Sequence, residues 1–223
     1  MQEYQAYKDE CGPGLATRIN FRELLVEAAL RSTTAILLAV FAYVAVRQWL
    51  ADPTRSTLLL LVFANCLTLG LSLFVRVPKK RDWQPVTILC SLGASYYFLA
   101  IQLAPGDRLV PEIFGAGLQA AGLAWQIYAK FTLRFSFGIL PANRGIVSHG
   151  AYRIVRHPIY LGYAIADLGF LLTNFGLQNL LVYAGLYALQ YVRITREEEL
   201  LSNDSEYLRY REKVRYRVLP GVY

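Results

Sequence analysis

The stretch "LGFLLTNFGLQNLLVYAGLYALQYV" runs from Leu168 to Val192 and contains no charged residue. Near its middle, the run Thr173-Asn174-Phe175-Gly176 combines residue types that favour a turn. We therefore predict that the region from Pro158 to Val192 forms two short helices joined as a hairpin. The alternative is a single tilted helix that carries the Asn and the Gly within it.

Four further uncharged stretches precede this hairpin. With its flanks, each approaches the roughly 20 residues that cross a bilayer as a helix. The composition agrees, since 55% of the 223 residues are hydrophobic and 17% are charged, which lies outside the usual range of soluble domains. We predict an all-α, polytopic integral membrane protein with about six helical segments. The four stretches are Ser32 to Val46, Ser56 to Val75, Pro85 to Ala104 and Ile113 to Ala129.

The predicted segments divide the chain into three parts. Residues 1–31 form an N-terminal segment, in which apolar residues between Phe21 and Ala28 recur at helical spacing. That spacing is typical of an amphipathic helix at the membrane surface or of a short solvated helix. Residues 32–133 hold four predicted transmembrane helices, and residues 134–223 hold the hairpin and a C-terminal tail.

The basic residues are distributed unevenly between the two sides of this six-span arrangement. Of 23 Lys and Arg residues, three fall in loops on one side, and the other 20 share a side with both termini. Short cytoplasmic loops are enriched in Lys and Arg, so both termini are predicted to be cytoplasmic. The net charge of +7 then reflects topology and does not indicate a nucleic-acid partner. The three basic residues on the side opposite the termini are Arg47, Arg55 and Arg108.

Two groups of residues on the predicted cytoplasmic side could carry chemistry. The first, "GIVSHGAYRIVRHPIYLG", spans Gly145 to Gly162, and the second, "RITREEELL", spans Arg193 to Leu201. Because the hairpin places the start of the fifth segment beside the end of the sixth, their opposite charges should converge at the membrane surface. Each group also has a simpler explanation that involves no chemistry. The arginines could be basic anchors at the membrane surface, Pro158 could mark only a helix start, and the glutamates could form a solvated face. Cys11, Cys66 and Cys90 lack any metal-ligand spacing, so no metal site is predicted.

The order of residues in these two groups carries a resemblance. Arg156 to Gly162 reads R-H-P-x-Y-x-G and follows a G-x-Y at Gly150 to Tyr152, while Arg193 begins an R-x-x-x-E-E-x-x-L block. This pattern resembles the isoprenylcysteine carboxyl methyltransferase family, which is related to the membrane phospholipid N-methyltransferases. The resemblance covers roughly Arg134 to Pro220. It departs from the family between Leu201 and Tyr207, where the usual Phe-Gly is missing.

The resemblance implies an S-adenosylmethionine-dependent methyltransferase with a cytoplasmic cofactor pocket and no Rossmann domain. The sequence agrees, since no glycine-rich dinucleotide loop follows a predicted strand. The implied acceptor is a membrane-embedded, lipophilic or prenylated molecule, in the first place the carboxylate of a prenylated cysteine, surrounded by membrane lipid. Which of Glu197, Glu198 and Glu199 contacts the cofactor stays open. The expected cofactor residues are Arg144, Gly145, Ile146, Val147, Tyr152, His157, Pro158, Ile159, Tyr160, Glu197 and Glu198.

Arg193, one helical turn before Glu197, is the residue expected to bind the acceptor and to support catalysis. A carboxylate acceptor is already ionised at neutral pH, and an arginine can hold it through two hydrogen bonds. A lipid amine would need a base instead, so the arginine favours a carboxylate. Asp167 lies about 15 Å along the helix from His157. It has either a structural hydrogen-bonded role or a place in the lining of a substrate tunnel.

Three other functions stay open at the level of the sequence. The chain could be a phospholipid amine N-methyltransferase, a sterol-reductase-like enzyme that uses NADPH, or a non-enzymatic membrane scaffold. The reductase is disfavoured because NADPH needs additional basic contacts that the sequence does not place. Binding of S-adenosylmethionine or NADPH to the purified protein separates a methyltransferase, a reductase and a scaffold, and it leaves the methyl acceptor open.

Overall fold

The computed structural model describes residues 21–73, 85–133 and 146–222. Within these ranges the chain is all-helical, with seven α-helices, two short 3-10 helices and no β-strand. The predicted all-α class is therefore confirmed for the described residues. The chain divides into two units, residues 1–36 and 37–223, and every residue of the candidate site belongs to the second.

The first four helices cover the region of the four predicted spans. Helix α1 already begins at Phe21, so the described part of the predicted N-terminal segment is continuous with the first span. Helix α1 ends at Ala51, before Asp52 and Pro53, because a proline disfavours helix in the residue that precedes it. The helices are α1 (Phe21–Ala51), α2 (Ser56–Leu73), α3 (Pro85–Tyr96), a 3-10 helix (Tyr97–Ala100) and α4 (Glu112–Leu133).

The third helix is shorter than the predicted span Pro85 to Ala104. It continues as a 3-10 helix to Ala100, and the chain is then extended at Ile101. There the backbone of Gln102 pairs with the side-chain amide of Asn179, whose Oδ1 accepts from the Gln102 N–H at 2.8 Å and whose Nδ2 donates to the Gln102 carbonyl at 3.2 Å. This pairing satisfies backbone groups that a longer helix would have used internally.

The C-terminal hairpin is confirmed as two helices, and the single tilted helix is wrong. A 3-10 helix (Gly150–Arg153) leads to α5 (Pro158–Thr173), which is followed by α6 (Leu177–Leu201) and α7 (Ser205–Lys213). Asn174 terminates α5: its Nδ2 donates to the Phe170 carbonyl at 3.2 Å, and its own carbonyl accepts from Asn179 at 2.8 Å. At the start of α7, the Asp204 carboxylate caps the helix by accepting from the Glu206 N–H at 2.8 Å.

Helices α4 and α5 pack backbone to backbone along a glycine seam. Gly115 and Gly122 on α4 are spaced by seven residues, as are Gly162 and Gly169 on α5. A β-carbon on Gly122 would lie 2.5 Å from the backbone nitrogen of Ala166, and one on Gly169 would lie 2.5 Å from the Gly115 carbonyl oxygen. Small residues that allow this approach are typical of helix contacts within membranes. The seam fixes the start of α5 relative to α4.

A buried polar network joins the loops at the opposite end of α5, about 24 Å from Pro158 for 16 residues at 1.5 Å each. Arg55, which is 2% exposed, donates to Asn174 Oδ1 at 2.7 Å. The N–H and hydroxyl of Thr57 donate to Glu112 Oε1 at 2.8 and 2.7 Å. These loops are the ones predicted to share the non-cytoplasmic side, and the network holds them together.

One helical segment among the described residues, Arg31–Ala51, is long and apolar enough to cross a membrane. Ser56–Thr68 and Pro158–Thr173 are apolar but shorter. The predicted polytopic arrangement therefore stays a prediction.

Candidate functional site

The segment before α5 reaches the site through a turn that requires glycine. Gly150 adopts a φ of 58°, a left-handed conformation that side chains with a β-carbon disfavour. A β-carbon there would also lie 2.7 Å from the Thr132 side chain. The 3-10 helix that follows buries Ala151 and Tyr152, and Pro158 then occupies the first turn of α5, where its missing N–H costs nothing.

Glu198 lies at the centre of a buried ion cluster that joins the two groups of residues, as the hairpin predicted. Its Oε1 accepts from Arg156 Nε at 2.8 Å and contacts His157 Nε2 at 3.2 Å, and its Oε2 accepts from Arg217 Nε at 2.8 Å. Burial by itself raises the pKa of the Glu198 carboxyl, but the hydrogen bonds and charges of His157 and Arg156 outweigh burial and hold this pKa at about 2.

The C-terminal tail pairs with the segment that precedes α5. The backbone N–H of Arg156 donates to the Tyr216 carbonyl at 2.9 Å, and that of His157 donates to the Arg217 carbonyl at 2.8 Å. The Arg156 side chain also donates to the carbonyl of Val214 at 2.8 Å. The tail also contacts Glu198 itself through Arg217, a contact that sequence reasoning did not predict.

The three consecutive glutamates occupy three different environments. Glu198 is 4% exposed within the ion cluster. Glu199 is exposed and pairs with Arg196 at 3.2 Å. Glu197 is partly exposed and interacts electrostatically with Tyr152. Burial raises the pKa of the Tyr152 phenol, and the negative charge of Glu197 raises it further. That phenol therefore stays protonated at neutral pH and can donate a hydrogen bond.

A row of aromatic rings extends from His157 along the start of α5. The ring centroids of His157 and Tyr160 lie 5.8 Å apart, and those of Tyr160 and Tyr163 lie 6.3 Å apart. Arg193 on α6 interacts electrostatically with Tyr160, Tyr163 and Glu197. The Nζ of Lys130, a buried residue of α4, lies 5.2 Å from the centre of the Tyr163 ring. Cationic, aromatic and acidic groups therefore meet where α4, α5 and α6 adjoin. We call this place, with the adjoining Glu198 ion cluster, the junction.

The other predicted cofactor residues fall into two sets. Arg144 and Gly145 lie outside the described residues. Ile146 and Val147 pack against a buried cluster that includes Tyr152 and Val214, while Pro158 and Ile159 are buried at the start of α5. Their side chains contribute packing, so any polar contact from this segment comes from its backbone or from its neighbours. Among the described residues, no three His, Cys, Asp or Glu side chains converge as metal ligands would.

Asp167 is buried and hydrogen-bonded within the helical bundle. It is 7% exposed, and its Oδ2 accepts from the Tyr187 hydroxyl at 2.6 Å. This bond supports the structural alternative for Asp167. A role in lining a substrate tunnel stays a prediction.

Comparison with known proteins identifies the region that contains this junction. Residues 116–203 match the isoprenylcysteine carboxyl methyltransferase (ICMT) family. The resemblance to the ICMT family is thereby confirmed, and the match indicates a methyltransferase associated with membranes. The matched range runs from α4 to just beyond α6 and includes Arg156, His157 and Glu198, but not the tail that contains Arg217. The chain has no significant match among curated proteins.

Proposed function

We propose that the chain is an S-adenosylmethionine-dependent methyltransferase that acts on a lipophilic acceptor in the membrane. The proposed acceptor group is a carboxylate, such as that of a prenylated cysteine. The observation that carries the proposal is the bonding of Glu198 to Arg156 and His157, at 2.8 and 3.2 Å. It brings the two halves of the ICMT-family pattern to one place beside a partly exposed acidic residue, two tyrosines and Arg193.

The residues around this junction have the chemistry to bind S-adenosylmethionine. The partly exposed Glu197 carboxylate can accept hydrogen bonds from an ammonium group or from ribose hydroxyls. The protonated Tyr152 phenol can donate to a carboxylate. His157, whose Nε2 is directed at Glu198, can accept a hydrogen bond at Nδ1 from a ribose hydroxyl or an adenine N–H. Because the Glu198 carboxylate is already bonded to Arg156, Arg217 and His157, we assign the direct contact to Glu197 and an orienting role to Glu198.

When bound, S-adenosylmethionine supplies an electrophilic methyl group on a sulfonium. The chain then needs to hold an ionised carboxylate in line with that group, without a covalent intermediate. The Arg193 guanidinium can hold a carboxylate through two parallel hydrogen bonds, which fixes its orientation as well as its position. Tyr160 and Tyr163 beside Arg193 would shield an acceptor carboxylate from water, and the charge interaction would then be stronger than in bulk solvent.

We further propose that the chain is a polytopic membrane protein with both termini cytoplasmic. Helices outside the Arg31–Ala51 segment also present large apolar side chains: Ile113 and Phe131 on α4 are each 74% exposed, and Leu177 on α6 is 70% exposed. A soluble protein rarely leaves this much apolar surface in contact with water. A bilayer would cover it and would keep the lipid part of the acceptor beside the junction.

The experiment that tests the function uses the full chain purified in lipid nanodiscs. Calorimetry should show binding of S-adenosylmethionine and no binding of NADPH. Labelled S-adenosylmethionine should then transfer its methyl group to a prenylcysteine analogue and not to the matched prenylcysteine amide, which lacks the carboxylate. Binding of NADPH alone would support a reductase, and binding of neither would support a scaffold. Methylation of phosphatidylethanolamine in place of the analogue would identify an amine acceptor.

A further inference from the structure

The two oxygens of the Glu198 carboxylate are divided between different partners. Oε1 accepts from Arg156 Nε at 2.8 Å and lies 3.2 Å from His157 Nε2. Oε2 accepts from Arg217 Nε at 2.8 Å, whereas its contact with Arg156 Nη2 is long, at 3.5 Å. Arginine and carboxylate commonly form two parallel, short hydrogen bonds. Here Oε2 lies closer to Arg217 than to Arg156, so the two arginines compete for this oxygen.

This division determines how the His157 ring is held. With a pKa of about 2, the Glu198 carboxyl is ionised at neutral pH and can only accept hydrogen bonds. His157 therefore carries a proton on Nε2, directed at Oε1. If the carboxylate turned to pair with Arg156 through both oxygens, Oε1 would move and this hydrogen bond would weaken. The position of Arg217 therefore affects the orientation of the His157 ring through the Glu198 carboxylate.

Arg217 is itself fixed by the backbone of the tail. The carbonyl of Arg217 accepts from the His157 N–H at 2.8 Å, and the carbonyl of Tyr216 accepts from the Arg156 N–H at 2.9 Å. The Tyr210 hydroxyl donates to the Tyr152 carbonyl at 2.8 Å, which attaches α7 to the same segment. Because these bonds hold the tail and α7 against the segment that precedes α5, the backbone from which the Arg217 side chain extends is fixed in position.

We propose that Arg217, beyond the end of the matched ICMT region, is a positioning residue of the cofactor site. It orients Glu198, and Glu198 in turn orients His157. The role in cofactor binding rests on the proposed function, whereas the effect on His157 follows from the contacts alone. Arg217 acts through Glu198 and does not itself contact the cofactor or the reacting atoms.

The first readout is the tautomer and hydrogen bonding of the His157 ring, which can be measured without a ligand. The chain has two histidines, so a His149→Asn background leaves His157 as the single source of imidazole signals in a chain labelled with ¹⁵N-histidine. In this background the Nε2 resonance should show a protonated, hydrogen-bonded nitrogen. Arg217→Gln should shift that resonance towards the value of a free, tautomerising imidazole. The matched control is Arg211→Gln, since Arg211 is exposed on α7. It should leave the spectrum unchanged.

The second readout is the affinity for S-adenosylmethionine in nanodiscs. Arg217→Gln should raise the Kd about tenfold, the effect of one weakened polar contact, while turnover at saturating cofactor changes little. Arg217→Lys should recover part of the affinity, because it keeps the charge. A purely structural role would lower the unfolding temperature and leave both the His157 signal and the Kd unchanged, which would overturn the proposal. If Arg217→Gln does not fold, the comparison of Arg217→Lys with Arg211→Lys gives the same decision.

The outcomes separate this proposal from the proposed function. If the wild-type chain does not bind S-adenosylmethionine, the proposed function fails, but the His157 spectrum still decides whether Arg217 orients the imidazole. If the wild-type chain binds and Arg217→Gln leaves both the spectrum and the Kd unaltered, the function stands and the positioning role is refuted.

Discussion

Arg156 and Glu198 are separated by 42 positions in the sequence, and Nε of the first lies 2.8 Å from Oε1 of the second. This contact joins the residues before α5 to the end of α6, at the open end of the hairpin. The Arg156 side chain also donates to the tail at the carbonyls of Val214 and Arg215. One side chain therefore connects three parts of the chain that are remote in sequence.

Replacement of Arg156 should be strongly destabilising. Arg156→Ala would leave the buried Glu198 carboxylate with less compensating charge and two tail carbonyls without their donor. We expect a loss of about 3–5 kcal/mol in the free energy of unfolding, as for the removal of one partner from a buried ion pair. Denaturant unfolding in mixed micelles measures it. Arg153→Ala is the control, because Arg153 is exposed nearby. A similar loss in both variants would contradict the prediction.

The pH dependence of stability should report the ionisation of Glu198. Its folded-state pKa of about 2 is below the ordinary value of 4.5, so its stabilising effect is complete above about pH 4.5 and is lost as the pH falls towards 2. The difference in unfolding temperature between the wild type and Glu198→Gln should be constant from pH 5 to pH 7 and should shrink below pH 4.5. A difference that increases on acidification would show that the carboxylate is not stabilised in this way.

The sequence does not show that the three consecutive glutamates lie in different environments, and the reason can be identified. The family block does not distinguish Glu197 from Glu198, and the missing Phe-Gly after Leu201 leaves the alignment of Glu199 open as well. One available signal was helical phase: the buried residue Ile194 precedes Glu198 by four positions, which places both on one face. The contribution of Arg217 could not be predicted, because alternating basic residues in an irregular tail do not show which of them points inward.

The hairpin, in contrast, was predictable because its turn is local. Asn174 and Gly176 lie between two apolar runs, and turn-forming residues of this kind act on their immediate neighbours. The glycine seam also has a signal in the sequence, two pairs of glycines at seven-residue spacing, which the lengths of the apolar stretches do not reveal. The network around Arg55 left none, since its partners come from three separate loops.

The glycine seam gives a stability prediction with a control on the same helix. Gly122→Ala should destabilise the fold by about 1–3 kcal/mol, the range for overpacking a close contact, because its β-carbon would meet backbone atoms of α5. Gly117→Ala should be neutral or stabilising, since nothing lies within 4 Å of the added carbon and alanine favours helix. Thermal unfolding of both variants measures the contrast. Equal effects would argue against close packing of α4 and α5.

The cofactor contact should depend on Glu197 and not on Glu199. Glu197→Gln should weaken S-adenosylmethionine binding by about 1–3 kcal/mol, the cost of leaving a polar group without its partner. Glu199 is exposed and paired with Arg196, so Glu199→Gln should bind as the wild type does. Calorimetry on the two variants compares the same substitution two positions apart. If Glu199→Gln were the weaker binder, the assignment of the pocket to the Glu197 side of α6 would be wrong.

Arg193 allows the binding of the acceptor to be separated from that of the cofactor. Arg193→Lys keeps a positive charge beside Tyr160 and Tyr163 but loses the two-pronged geometry that would align a carboxylate. We expect it to retain the affinity for S-adenosylmethionine and to lower turnover of a prenylcysteine analogue about ten- to a hundredfold, since small errors in alignment are costly. Arg196→Lys, at an exposed position of the same helix, should stay fully active.

The competing explanation is that Arg193 only neutralises Glu197, one turn away. In that case Arg193→Lys would behave nearly as the wild type, and Arg193→Ala would lose cofactor affinity and stability together. Measuring the Kd for S-adenosylmethionine and the rate of methyl transfer for both variants distinguishes the two explanations. Retained affinity with a slow rate in Arg193→Lys would support a carboxylate acceptor. A fully active Arg193→Lys enzyme would remove the main reason to prefer that acceptor over a lipid amine.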